Sequence, residues 1–141
     1  MAGKSALNHA RLLGVLLAAF IGRVAAQLVQ AWRPVGWLPP FDAWQSGALP
    51  YPVLVASQVA IIVLALWVIR GVATGRMRRS TTLGRVLLAF GAIYFIGMAA
   101  RLVLGLTVLS HVGWFTAILP AIFHLVLAGF VLTWADYHRR R

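Results

Sequence analysis

The chain contains no cysteine. That excludes disulfides, thiolate catalysis and thiolate metal sites. Acid is nearly absent as well: Asp42 and Asp136 are its two carboxylates, and neither lies inside an apolar run. Metal-dependent hydrolysis needs clustered His and carboxylate ligands, and no His-Glu-x-x-His pattern exists here. There is no Gly-x-Ser-x-Gly turn. Nucleophile–base catalysis would fall to Ser57 and His124, a lone serine and a lone histidine of the kind that ordinarily pack or hydrogen-bond. A proton-coupled four-helix exporter would want a buried acid in its first helix; this chain has Arg23 there. No internal repeat is visible, so the sequence does not support an inverted-repeat transporter.

What is present is apolar. Of 141 residues, 62% are hydrophobic and 11% charged, and the mean hydropathy is +0.88. Soluble domains have about 45–50% apolar and about 25% charged residues, so this balance belongs to the integral-membrane class. The formal net charge of +11 does not imply nucleic acid. Most of the arginines sit in short runs between apolar segments, where they set topology and meet anionic lipid head groups. A nucleic-acid module would gather them on one soluble face.

A helix needs about 20 apolar residues to cross the hydrocarbon core. Four stretches qualify, at 12–32, 52–69, 83–106 and 114–134. The expected fold is an all-α, single-domain four-helix membrane bundle. Pro52 suits the first turn of the second helix. Pro120, in the first two turns of the fourth, would introduce a kink. A secretory signal could be read into the start, with "VAA" at 24–26 as its cleavage site, but Arg23 interrupts the apolar run beside it. A retained first helix is expected.

Basic residues are lopsided. Lys4 and Arg11 precede the first span, Arg70, Arg76, Arg78, Arg79 and Arg85 flank or fill the second connection, and Arg139–Arg141 close the chain. The first connection keeps Arg33 alone, and "TVLSHVG" has no Lys or Arg. Positive charge stays on the cytoplasmic side, which predicts a bacterial inner-membrane protein with both termini inside. The basic inner connection then serves topology, with Thr81 and Thr82 capping the third helix. The outer connection, "RPVGWLPPFDAWQSGALPYP", is proline- and aromatic-rich. It is expected to lie across the outer mouth as a cap, with Trp37, Asp42 and Trp44 as its main members. An interfacial anchoring loop is the plainer alternative.

Polar groups at membrane depth are costly and mark sites by default; a central arginine costs about 2.5–3.5 kcal/mol on insertion scales. Arg23, Gln27, Gln58, Tyr94, Arg101 and His124 draw on all four helices and fall mostly in the outer half. Arg23 is ~14 Å below Trp32 at 1.5 Å per residue. Arg23, Gln27 and Gln30 share a helical face, as do Tyr94 and Arg101. With no acid in the spans, these six are expected to form one outward-facing pocket for a lipid head group or a small anion, since guanidinium binds carboxylate and phosphate bidentately. Asp42 could fold down to Arg101. The plainer reading is that the six satisfy one another and fix helix register. Gly91, Gly97 and Gly105 are expected to let helices approach closely.

Three functions compete. The first is a lipid- or anion-binding membrane protein. The second is an accessory subunit of a larger membrane complex, exposing Gly91 and Gly97 to a partner. The third is an oligomeric anion pore, because arginine rings favour anions. The partners expected are the bilayer, anionic head groups or a small anion, and another membrane protein or a second copy, with no nucleic acid. No catalytic residue, metal site or cofactor is assigned. His111 and His124 would be ~20 Å apart in rise on a single helix, so haem would need His124 as one axial ligand and another subunit for the second.

Overall fold

The structure is a computed structural model that describes residues 3–45, 47–112 and 117–140. The described residues form four long helices and no strand. Helix α1 is Lys4–Trp32, α2 Tyr51–Ala73, α3 Thr81–Leu106 and α4 Ile118–Arg139, and all four are long and apolar enough to cross a membrane. One short 3-10 turn, Phe41–Trp44, lies between α1 and α2.

Helix α1 organises the bundle. Its buried stripe runs Ala6, Ala10, Leu13, Leu17, Phe20, Val24, Gln27, with Arg23 and Gln30 beside it. Steps of three and four residues keep one seam against neighbouring helices. The seam is apolar as far as Phe20 and then turns polar. Helix α1 packs on both α2 and α4, and α4 packs extensively on α3. Between α2 and α3 there is no substantial packing among the described residues. The core gathers at the basic end, where Leu13, Val68, Val72 and Tyr137 meet.

Helix α3 approaches α4 through glycines. A Cβ on Gly84 would come within 2.9 Å of Arg139 Cγ, and one on Gly91 within 2.9 Å of Leu132 Cδ2. Met98 and buried Gly105 continue the same seven-residue spacing. Gly97 is off this line, and a Cβ there would meet nothing within 4 Å. Of the expected packing glycines, then, Gly91 carries a close approach and Gly97 does not, and Gly84 joins them. Because Gly91 is covered by α4, it is not on an open face shared with Gly97.

Three local details differ from expectation. Ser80, not Thr81 or Thr82, caps α3: its Oγ accepts from the Leu83 amide at 3.2 Å. Pro120 sits in the first turn of α4, where no amide hydrogen bond is lost and no kink is required. Trp114, the expected start of the fourth span, lies outside the described residues, as do Arg141 at the tail and Ser46 in the first connection.

The basic connection folds against α4. Tyr137 Oη donates to the Met77 carbonyl at 2.6 Å, and Trp134 Nε1 contacts Met77 Sδ at 3.3 Å. The Ser80 amide donates to His138 Nδ1 at 3.0 Å, and the Arg79 guanidinium lies 4.8 Å from the Tyr137 ring centre. At the same end, Asp136 Oδ2 joins α4 to α1 through His9 Nε2 at 2.8 Å and also meets Arg140 Nε, at the end of its own helix, at 2.7 Å. His9 Nδ1 is 2.7 Å from the Ser5 carbonyl.

Candidate functional site

The six polar residues do not form one uniform cluster. They divide by what they touch.

Arg23 and Gln27 hold the connection between α1 and α2. Arg23 Nη1 donates to Gln27 Oε1 at 2.9 Å, and Nη2 donates to the Trp44 carbonyl. Gln27 Nε2 donates onward to Gln45 Oε1 at 3.3 Å. Gln30, on the same face, is fully committed. Its Nε2 donates to the Pro39 carbonyl at 2.8 Å and the Leu38 carbonyl at 3.3 Å, and its Oε1 accepts from the Val35 amide at 2.5 Å. Prolines at 34, 39 and 40 leave this stretch poor in amide donors, so side-chain amides of α1 satisfy its carbonyls instead. Trp44 is buried, donates from Nε1 to the Pro39 carbonyl at 3.0 Å, and packs its ring 6.3 Å from Phe123 of α4. The connection therefore bridges α1 and α4. Trp37 is 80% exposed and takes no part in this anchoring. Asp42 is exposed and makes no ion pair among the described residues, rather than reaching Arg101.

Beneath the connection lies a cavity of about 290 Å³, near the lower end of the range for ligand pockets. Gln58, Arg101 and His124 line it from three helices, joined by the edge of Arg23 and by Gln45 of the connection. No carboxylate lines it among the described residues. Ser57 also lines it, but its hydroxyl is spent on the Leu54 carbonyl at 2.8 Å. Gln27 is fully buried behind Arg23 and does not reach the cavity.

Gln58 is the informative member. It is 4% exposed and lines the cavity. Among the described residues the buried side-chain polar atom left without a partner is His138 Nε2, at the basic end and away from this cavity. His124 is held from behind, because Tyr94 Oη is hydrogen-bonded to its Nδ1. Its other ring nitrogen is left for the cavity. Tyr94 itself does not line this cavity; it positions His124. Arg101 is almost fully buried and places its charge on the cavity wall, with Nη1 3.9 Å from Met98 Sδ.

The site thus has cationic groups, hydrogen-bonding groups and apolar walls, and offers no acid among the described residues. That is the chemistry of oxyanion recognition. Among the described residues no three His, Cys, Asp or Glu side chains cluster as a metal site would require.

The sequence singles out the polar residues of the apolar helices but not the split between them. The signal for Gln30 was present in its spacing from Arg23 and Gln27. Nothing in the sequence marked Trp44 as the buried anchor and Trp37 as the exposed ring.

Comparison with protein-family models, with curated proteins and with solved structures finds no match to this chain.

Proposed function

We propose that this is an integral protein of a bacterial inner membrane, with both termini cytoplasmic, that binds an anionic ligand in an intramembrane pocket opening toward the outer side. The 33–50 connection then serves as the cap of that pocket. The orientation rests on the distribution of lysine and arginine. The binding role rests above all on a cavity whose wall gathers the Gln58 amide, the Arg101 and Arg23 guanidiniums and His124.

In this reading each group has a part. Arg101 supplies charge that an oxyanion neutralises. Gln58 donates one hydrogen bond from its amide. His124, held by Tyr94, adds a second polar contact. Arg23 chiefly fixes the cap and adds to the positive field. No bond is made or broken.

The test is a native mass spectrum of the protein extracted gently from its own membrane, with an absorption scan of the same sample, for wild type and Arg101→Leu. The expected result is a bound species of fixed mass that Arg101→Leu loses while the fold is kept. A bare wild-type monomer would defeat the proposal. A larger co-extracted protein without a small ligand would put the accessory-subunit reading in its place, and a Soret band would redirect attention to His124 as a haem ligand.

A further inference from the structure

We infer that the anion is the head of a membrane amphiphile whose apolar tail lies in a cleft between α2 and α3. This deepens the anion-pocket reading and rests on it.

A second cavity, of about 360 Å³, adjoins the first. Phe20, Ile61 and Leu127 line both, so the two share a wall made of these side chains. The second is walled almost wholly by aliphatic and aromatic side chains, Leu17, Ala65, Val68 and Phe130 among them. Tyr94 lines it, and the Tyr94 hydroxyl is hydrogen-bonded to His124, which lines the first. That pair marks the boundary between the chamber that carries Arg101, Gln58 and His124 and the apolar one. An amphiphile displacing the side chains of the shared wall would occupy both, its head in the first and its tail in the second.

The cleft opens sideways. Helix α2 leans on α1 and α3 leans on α4, without substantial packing between α2 and α3 among the described residues. Leu64 of α2 and Phe90 of α3 both line the cleft, yet are 55% and 58% exposed. They are its rims. The surfaces beyond them are apolar too: Val63 on α2 and Ile93 on α3 are both well exposed. In a bilayer such rims meet lipid chains, so a tail can pass between them without crossing water. A small soluble anion has no use for the apolar half. A long-chain phosphate or carboxylate fills both halves, its head between Arg101 and Gln58 and its tail along α2 and α3. Free phosphate shares the head chemistry, and the tail distinguishes the two.

The full-length protein in detergent is titrated with a long-chain alkyl phosphate and, separately, with inorganic phosphate. Binding is read by native mass spectrometry and by thermal shift. Leu64→Trp narrows the cleft at an exposed rim and leaves the core intact. Ile93→Trp places the same bulk on the open side of α3 as a control. Leu64→Trp is expected to weaken alkyl phosphate by about tenfold, a shift within the range of one lost apolar contact. It should leave inorganic phosphate unchanged, and Ile93→Trp should resemble wild type. Arg101→Gln is expected to weaken both ligands. Equal alkyl phosphate binding by Leu64→Trp and wild type would overturn the tail site while leaving the anion pocket in place. So would an equal loss in Ile93→Trp. Failure of wild type to bind either phosphate would overturn the pocket itself.

Discussion

The Arg23 guanidinium donates to the Trp44 carbonyl, so a charge in the middle of an apolar helix is tied to the backbone of the connection that follows that helix. Its second donor, to Gln27, stays within α1. This answers much of the cost of placing arginine at that depth. It also separates two roles that share one helical face: Arg23, Gln27 and Gln30 fasten the connection, while Gln58, Arg101 and His124 face the cavity.

Arg23→Leu is expected to free the Trp44 segment. Losing hydrogen bonds from a charged donor costs about 1.5–3 kcal/mol each. The expected outcome is a lower thermal midpoint in detergent, with a red-shifted tryptophan emission as Trp44 leaves its buried position. Arg23→Lys should recover part of the loss, since one ammonium reaches one acceptor well but does not reproduce the fork.

Gln30→Leu removes three hydrogen bonds to the connection. The backbone groups left behind lose their partners, and a loss of about 1–3 kcal/mol is expected. Limited proteolysis within residues 33–45 should quicken. Retention of a bound anion should fall less than in Arg101→Leu, because Gln30 does not line the cavity.

Gln58→Leu should separate stability from binding. Gln58 lines the cavity, and an apolar side chain of similar size keeps its packing, so the ligand-free protein should change by less than about 1 kcal/mol. Ligand retention should drop at the same time. A ligand-free variant far less stable than wild type would show that Gln58 serves the fold rather than the ligand.

Gly91→Ala puts a methyl within 2.9 Å of Leu132 and 3.1 Å of Val131. Overpacking of this kind costs about 1–3 kcal/mol. Gly97→Ala meets nothing within 4 Å and should gain up to about 1 kcal/mol from helix propensity. Thermal unfolding of the two variants in one detergent tests the pair, and equal midpoints would contradict the packing of α3 on α4.

Asp136→Asn breaks the tie between α1 and α4 at the basic end. The carboxylate is 39% exposed, with contacts to His9 and Arg140, so the cost should be modest, about 0.2–1 kcal/mol. It should shrink further in high salt, which thermal midpoints across a salt series would measure.

The spans were legible because hydropathy over about 20 residues is a strong local signal. Their ends were less so. Helix α1 begins at Lys4 rather than near residue 12, and α4 runs on to Arg139. Both extensions are polar in sequence yet partly buried, through Ala6, Ala10, Tyr137 and His138. What favours helix there is packing of one terminus on the other, which hydropathy does not register. The glycines show the same limit. Gly97 was chosen for its place between Tyr94 and Arg101, but contact with α4 follows the seven-residue line through Gly84 and Gly91, and only the partner helix sets that register.

By itself the sequence determined the class of molecule: four apolar helices, a basic end, a proline-rich connection, and polar groups at depth with no acid in the spans to answer them. Composition and period decide these because each acts within one segment. Tertiary structure decided which polar groups are spent and which are left. Arg23 and Gln30 meet carbonyls that proline-broken backbone cannot satisfy itself, while Gln58 meets a cavity. It also decided that α2 and α3 stand apart, with an apolar cleft beside the cavity that carries Arg101, Gln58 and His124. Such matters depend on how four helices divide their contacts, and no single segment carries that information.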